Sequence, residues 1–323
     1  MNRRITKTIA GFVAAAMLLA VVGCSGEKTD TFEIDKVVMT YVSSPLNVPS
    51  IIEKEQGQFE KAFQKLGLGF AYSNLTAGPD QTAALASGDI QILNAVGGSS
   101  VILAAANGAD IVILSMYSRA PKAFCMFSND ENINSPEDLR GLTIAGPKGT
   151  ILHELLAAYL ATADMTTDDV NYVSMSIPSA VAALESKSVD IALVDGLTAY
   201  DCENAGKHKI TDGEGLITAA ICTAASKRFA DANPKIIKAF LDTQKSLVEY
   251  INTETEESLA LTAKSLDIDV EVVREMFGLY DFSPEISGED MDCLQDTEMF
   301  LYDNGMTEKH IDVSSLIYRI GES

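Results

Sequence analysis

Short apolar runs alternate with amphipathic helical patterns from Lys36 onward. The apolar runs have the length of buried strands, and the intervening segments carry apolar residues at the spacing of one helix face. The predicted strands are VVMTYV (37–42), FAYSNL (70–75), DIQILNAV (89–96), DIVILSMYS (110–118), AFCMFS, LTIAG, DVNYVSM and DIALV. This alternation predicts an α/β protein with mostly parallel sheets.

The pattern changes after about Asn233, where helical periodicity continues almost to the end of the chain. Two α/β stretches come before this helical part, and they share a layout. LASGDIQIL in the first and LESKSVDIAL in the second each place a short helix directly before an Asp-led strand. The order predicts two lobes with a helical C-terminal part.

The N-terminus has the layout of a secretory signal, with a basic start, an apolar run from Ile9 to Val22, and the sequence VVGC. The alternative is an uncleaved membrane helix, but the apolar run is short for a full span. The Gly23–Cys24 junction resembles the bacterial lipobox. We therefore expect a signal peptide at 1–23, lipidation at Cys24, and a polar tether at 24–35.

The chain is acidic, with 46 Asp and Glu against 24 Lys and Arg and a formal net charge of −22. Such a surface repels nucleic acid and anionic lipid headgroups, so we expect no nucleic-acid partner and membrane contact through the lipid anchor alone. A local anion site built from backbone N–H groups remains compatible with this charge.

Cysteine and histidine spacing gives no support for a metal, a cofactor or a catalytic residue. The remaining cysteines are far apart without a CxxC pair, and the histidines form no HxxxH or HxH set. We expect buried thiols, although the spacing leaves a disulfide open. His153 is interpreted as a partly exposed helix residue. The residues concerned are Cys125, Cys202, Cys222, Cys293, His153, His208 and His310.

The segment GPKGTILHELL (146–156) places a glycine- and threonine-bearing loop between a predicted strand and an amphipathic helix. Gly141 and Gly146 have the spacing of a nucleotide-binding loop, but Pro147 stands where that motif has Lys. Free N–H groups at a helix start favour an anion. We predict that Gly149 and Thr150 cradle the anionic end of a ligand, with a simple helix cap as the alternative for Thr150.

Several segments resemble the substrate-binding proteins of ABC importers for aliphatic sulfonates, taurine and nitrate. ALASGDIQILNAVGGSSVILAAANGADIVIL resembles their first lobe. INSPEDLRGLTIAGPKGTILHELLAAYL, followed by DDVNYV and AVAALESKSVDIALV, resembles the second lobe in order and spacing. The resemblance covers nearly the whole chain from about Lys36. It implies a type II periplasmic-binding-protein fold, with lobe one at 36–120 and 224–323, lobe two at 121–223, and a ligand cleft between them.

The resemblance implies a lipid-anchored, monomeric receptor on the outer face of the cell membrane that delivers a small organic anion to an ABC permease and ATPase. A receptor for pyrimidine precursors or other small metabolites, a sensor partner and an enzyme on the same fold are the alternatives. The export signal and the missing nucleophile–base pair argue against an enzyme.

The ligand is expected where strand ends and helix starts of both lobes converge. Many relatives have an aromatic residue or Pro, then Glu-Pro, at positions 195 to 197, and this chain departs from that pattern. If Asp195 faces the cleft, its carboxylate suits an amine, hydroxyl or ring N–H of the ligand. The alternative is that Asp195 is a turn residue. Three tyrosines could either stack on the ligand or belong to the core, namely Tyr41, Tyr72 and Tyr117. Arg119 and Lys122 are expected to have surface roles at the lobe crossing, and closure over an anion is the alternative for Arg119. The predicted contacts are Ser43, Ser44, Gly98, Ser99, Gly149, Thr150, Ser179 and Asp195.

Overall fold

The computed structural model describes residues 34–44 and 46–321. The expected signal peptide, Cys24 and nearly all of the tether lie outside the described residues. Within the described part of the chain, the helices are all too short or too polar to cross a membrane.

The first sheet contains five strands, and one of its inner strands returns from late in the chain. β1 pairs in parallel with β2 and β3, while β10 lies antiparallel between β3 and β4. The spatial order is β2-β1-β3-β10-β4. The strands are β1 Lys36–Thr40, β2 Gly69–Ser73, β3 Ile92–Gly97, β4 Val112–Arg119 and β10 Ala220–Ala225.

The second sheet repeats this layout with the order β7-β6-β8-β5-β9. β6 pairs in parallel with β7 and β8, and β5 lies antiparallel between β8 and β9. The strands are β5 Phe124–Ser128, β6 Thr143–Gly146, β7 Asn171–Ser174, β8 Ile191–Asp195 and β9 His208–Asp212. The prediction of a two-lobed α/β fold with parallel pairs in each sheet is therefore confirmed.

Helices connect the strands and form the C-terminal part. The helical pattern that follows the first strand, over residues 49–67, is divided in two, because Gly57 takes the left-handed conformation with φ of 61° and ends α1. SPEDLRG forms a 3₁₀ turn over Pro136–Leu139 rather than an α-helix. The helices are α1 Val48–Gln56, α2 Gln58–Gln64, α3 Gly78–Ser87, α4 Gly98–Ala106, α5 Ile151–Ala161, α6 Ile177–Glu185, α7 Gly196–Asn204, α8 Lys227–Ala232, α9 Pro234–Thr253, α10 Thr255–Leu266, α11 Val270–Phe277 and α12 Gly288–Asp303.

The chain passes from the first sheet to the second through the turn Pro121–Ala123, between β4 and β5. The return passage comes before Ala220, because β10 already pairs with β3 and β4 from that residue. Residues 220–223, which the expected boundaries assign to lobe two, thus pair within the first sheet. Gly213 approaches the outward passage closely, since a Cβ there would lie 2.6 Å from the carbonyl oxygen of Pro121.

Arg119, the last residue of β4, binds the C-terminal part of the chain next to the passage into the second sheet. This guanidinium makes two 2.6 Å hydrogen bonds to the carboxylate of Asp290 and donates to the carbonyl oxygens of Ser283 and Glu285. Arg119 is therefore a structural residue of the passage and is not free to close over an anion. Lys122 makes an exposed ion pair with Glu214, in agreement with its expected surface role.

Helix α12 contacts helices of both lobes, α4 in the first and α5 in the second. A buried hydrogen bond of 2.6 Å joins the hydroxyl of Thr297 on α12 to the carboxyl group of Glu154 on α5. The four cysteines within the described residues are free and buried. The lobes thus pack around one shared helix on one side and leave a cavity at the starts of α4 and α5.

Candidate functional site

A cavity of about 400 Å³ lies between the two lobes at the starts of six helices. Three of these helices follow strands of the first sheet and three follow strands of the second. Each contributes its N-cap or first-turn residues to the cavity wall, where N–H groups have no partner inside the helix. The lining residues at these starts are Asn47 (α1), Ala77 and Gly78 (α3), Gly97 and Ser100 (α4), Thr150 and Ile151 (α5), Ser176 and Ile177 (α6), and Asp195 and Thr198 (α7).

The first-lobe wall includes Ser44 but not Ser43, of the two predicted serines after β1. Next to the predicted contacts Gly98 and Ser99, the lining residues are Gly97 and Ser100. Helix α4 begins at Gly98, so Gly97 and Ser100, three residues apart, share the face that lines the cavity.

Gly98 and Ser99 have packing environments instead. A Cβ at Gly98 would lie 2.8 Å from Leu294 of α12, so this glycine allows α12 to approach α4. Ser99 is fully buried, and its hydroxyl has no hydrogen-bond partner among the described residues. The structure does not bring either residue into the cavity wall.

The second-lobe loop after β6 reaches the cavity through Pro147 and Thr150. Gly149 has φ of 71°, the left-handed region that favours glycine, but it is not a lining residue. Its N–H is already donated to Nδ1 of His153 at 3.3 Å. The Thr150 hydroxyl donates to the carbonyl oxygen of Pro147 at 2.8 Å. The Gly149 N–H and the Thr150 hydroxyl are therefore already engaged, whereas the N–H groups of the first turn of α5 have no partner inside the helix.

At the start of α6 the predicted contact Ser179 lies in the first turn, three residues after the N-cap residue. Ser176 is the N-cap residue, its hydroxyl oxygen accepts the N–H of Ser179, and the two hydroxyl oxygens are 2.8 Å apart. Ser176, Ile177 and Pro178 line the cavity, whereas Ser179 is exposed and lies outside the wall.

Asp195 lies at the end of β8 and is part of the cavity wall. It is the N-cap residue of α7, yet its carboxylate accepts no capping hydrogen bond from that helix. Burial raises the pKa of Asp195 to about 7. A carboxylate in such a place is costly to keep charged without a partner. An amine or N–H group on a ligand would supply that partner.

Two amide side chains that the sequence did not single out contribute to the first-lobe wall. Asn47 donates its Nδ2 to the carbonyl oxygens of Val42 and Ser44, and Gln81 donates its Nε2 to that of Thr76. These bonds tie the segments before α1 and α3 in place. The sequence indicates the start of α3 through Gly78 and Pro79, because Pro is favoured in a first helical turn.

The three candidate tyrosines have partners away from the cavity. The Tyr72 hydroxyl donates to Glu53, and the Tyr41 ring packs edge-on against Tyr72 at 5.5 Å. The Tyr117 hydroxyl accepts the N–H of Ser50 at 3.1 Å and lies 2.8 Å from its hydroxyl. None of the three is among the lining residues, so they belong to the first-lobe core and its edge.

A larger cavity of about 970 Å³ lies between α5, α12 and the return passage. Its wall includes the carboxyl groups of Glu154, Glu289, Asp296 and Asp303. This set of acids disfavours an anion, and the helix-start cavity is the better match to the chemistry of the loop after β6. The described residues contain no cluster of three or more His, Cys, Asp or Glu that could hold a metal ion.

Two α/β lobes around a cavity at their helix starts define a type II periplasmic-binding-protein fold. Residues 47–258 match the family model described as NMT1/THI5 like, and the chain belongs to this family. The resemblance found in the sequence is thereby confirmed.

The names of proteins similar to this chain agree with its membership of this family. A putative aliphatic sulfonates-binding protein of Bacillus subtilis is 25% identical, with 94% of this chain and 92% of that protein covered. The taurine-binding periplasmic protein of Escherichia coli is 28% identical over 65% of each chain. The solved alkanesulfonate-binding protein of Xanthomonas axonopodis pv. citri, bound to MOPS, superposes with a TM-score of 0.80 at 21% identity, covering 89% of this chain and 99% of that one.

Proposed function

We propose that this chain is the extracytoplasmic solute-binding lipoprotein of an ABC importer, and that it binds a small organic anion such as a sulfonate or a taurine-like compound. The observation that carries the proposal is the convergence of six helix starts on one cavity between the lobes. Helix starts carry a partial positive charge and first-turn N–H groups without a partner inside the helix, which together suit the oxygens of a sulfonate, although at α1 the Ser50 N–H is already donated to Tyr117.

The named relatives support this class of solute, because they include proteins named for binding aliphatic sulfonates and taurine. On this proposal the ligand is passed to a permease and ATPase, and the receptor is a monomer held at the membrane by a lipid on Cys24. Mass spectrometry of protein from the native host should find a diacylglyceryl-cysteine N-terminus. An intact Met1 on the membrane-bound form would contradict the anchor.

Asp195 divides the candidate ligands into two groups. A taurine-like compound carries a sulfonate for the helix starts and an ammonium group for this carboxylate, whereas a simple alkanesulfonate leaves the carboxylate unpaired. Calorimetric titration of taurine and ethanesulfonate against wild type and Asp195→Asn separates the two. We expect the substitution to weaken taurine binding far more than ethanesulfonate binding.

An enzyme on the same fold is the second candidate, because a desulfurization enzyme superposes on the chain with a TM-score of 0.64 at 14% identity. The cavity chemistry favours a receptor instead. Among the described residues that line the cavity there is no Cys, His, Lys or Arg, the usual groups that act as or activate a nucleophile, and Asp195 is the one acid among them.

A thermal-shift screen followed by calorimetry tests the proposal with alkanesulfonates, taurine, nitrate, pyrimidine precursors and aromatic acids. We expect saturable binding of a sulfonate and a smaller radius of gyration on binding, because closure brings the two sets of helix starts together. Binding of a pyrimidine precursor alone would select the other receptor class. Turnover of a sulfonate or sulfinate would select the enzyme.

A further inference from the structure

His153 lies in the first turn of α5, directly behind the loop after β6, and it is buried with 3% of its surface exposed. Its Nδ1 accepts the N–H of Gly149 at 3.3 Å. Its ring stacks on Tyr172 at a centroid distance of 4.4 Å, and the ring of Phe300 meets it edge-on at 6.0 Å. The sequence had indicated a partly exposed residue, which is wrong.

Hydrogen bonds hold both ends of the loop after β6. The hydroxyl of Tyr172 donates to the carbonyl oxygen of Gly146 at 2.7 Å, at the end of β6. The Gly149 carbonyl oxygen accepts a 3.4 Å hydrogen bond from Ser100 of the first lobe. Both polar groups of the Gly149 backbone are therefore occupied, one by each lobe.

His153 and Tyr172 are not lining residues, whereas Thr150 and Ile151, the next two residues after Gly149, are. The bonds thus lie behind the cavity wall and determine where α5 begins in relation to it. Gly149 can take its left-handed conformation without a steric penalty, but the conformation still needs an acceptor for the buried N–H.

We propose that His153 is a positioning residue for the anion site: as a neutral imidazole it accepts the Gly149 N–H and so holds the start of α5 against the cavity. This inference rests on the proposed function for its effect on binding. Nδ1 must be unprotonated to accept, so the ring is the Nε2–H tautomer. Burial, with a smaller effect from Lys148, lowers the pKa of His153 to about 4, in agreement with a neutral ring.

Two substitutions separate an acceptor from a packing role. His153→Phe keeps a ring for Tyr172 and Phe300 but removes the acceptor. His153→Asn loses the ring but places an amide oxygen near the position of Nδ1. A positioning role predicts faster hydrogen exchange of the Gly149 amide and roughly tenfold weaker taurine or ethanesulfonate binding in the Phe variant, with partial rescue in the Asn variant. Wild-type exchange and affinity in the Phe variant would overturn the proposal.

Wild-type protein provides a test that requires no substitution and no ligand. The ¹⁵N spectrum should show a neutral Nε2–H imidazole at pH 7, and exchange of the Gly149 amide, corrected for its intrinsic pH dependence, should become faster as the pH falls through about 4. The charged group acting on the ring is Lys148, while Tyr172 and Phe300 are uncharged at these pH values. A protonated Nδ1 at pH 7 would overturn the proposal. Failure of both sulfonates to bind, with the amide and tautomer results as expected, would count against the proposed function alone.

Discussion

Replacing Asp195 by Asn should stabilise the ligand-free protein, and the gain should depend on pH. Burial raises the pKa of Asp195 from 3.8 to about 7. The folded protein therefore binds a proton that the unfolded chain has lost between about pH 4 and pH 7. Since folding takes up this proton, the free energy of unfolding falls as pH rises through that window.

The size of the effect follows from the same two pKa values. A difference of about three pH units corresponds to roughly 4 kcal/mol once the carboxylate is fully ionised in both states. Part of that cost is already present at pH 5, so the change between pH 5 and pH 8 is roughly 3 kcal/mol. The asparagine amide in the variant does not titrate. The stability gain from Asp195→Asn should therefore be larger at pH 8 than at pH 5 by roughly this amount.

Urea unfolding of wild type and variant at both pH values measures this difference. Glu53 and Glu154 are also buried acids with pKa values raised to about 7, but they occur in both proteins and cancel in the comparison. Asp201→Asn, at an exposed position on the same helix, is the matched control. An equal gain at both pH values, or a loss at pH 8, would refute the reasoning that Asp195 lacks a partner.

Two further predictions concern the Arg119–Asp290 ion pair and the close contact of Gly78 with Ser100. Arg119→Met leaves the buried Asp290 carboxylate unpaired, so it should cost about 3 kcal/mol or more in urea unfolding, whereas Lys122→Met, at an exposed ion pair, should change stability by less than about 0.5 kcal/mol. Gly78→Ala would place a Cβ 2.2 Å from the Ser100 hydroxyl oxygen and should cost about 1–3 kcal/mol. Ser100→Gly in the same chain should recover part of that loss, and additive effects in the double variant would contradict the close contact.

The sequence was informative about which elements exist. Apolar periodicity predicted both α/β stretches, and a cavity does lie at the strand ends and helix starts where the ligand is expected. It was weaker for β9, His208–Asp212, an edge strand whose side chains are mostly half-buried and which therefore lacks a continuous apolar run. Gly57 also went unrecognised, because an isolated glycine inside a helical pattern is often tolerated.

The individual site residues were harder to predict, because a change of one residue in a helix start changes which side chains face the cavity. At α4 the cavity wall contains Gly97 and Ser100, whereas the predicted contacts are their neighbours Gly98 and Ser99. Pairings between distant segments cannot be read from periodicity. The hydrogen bond from Ser100 to Gly149 joins the two lobes, and it occupies the carbonyl oxygen of a glycine that the sequence presented only as a predicted ligand contact.

An acidic protein that binds an anion through helix starts should show an unusual salt dependence. The chain carries a formal net charge of −22, and Lys and Arg do not occur among the described residues of the cavity wall. At an ionic strength of about 0.01 M the acidic surface repels an approaching anion over about 30 Å, whereas the helix dipoles act within one turn. Salt screens the repulsion more than the close contacts. The association rate of ethanesulfonate in stopped-flow measurements should therefore rise with ionic strength, while that of taurine, which has no net charge, should change little. A steep fall for ethanesulfonate would mean that basic side chains guide the anion to its site and that the helix starts are insufficient.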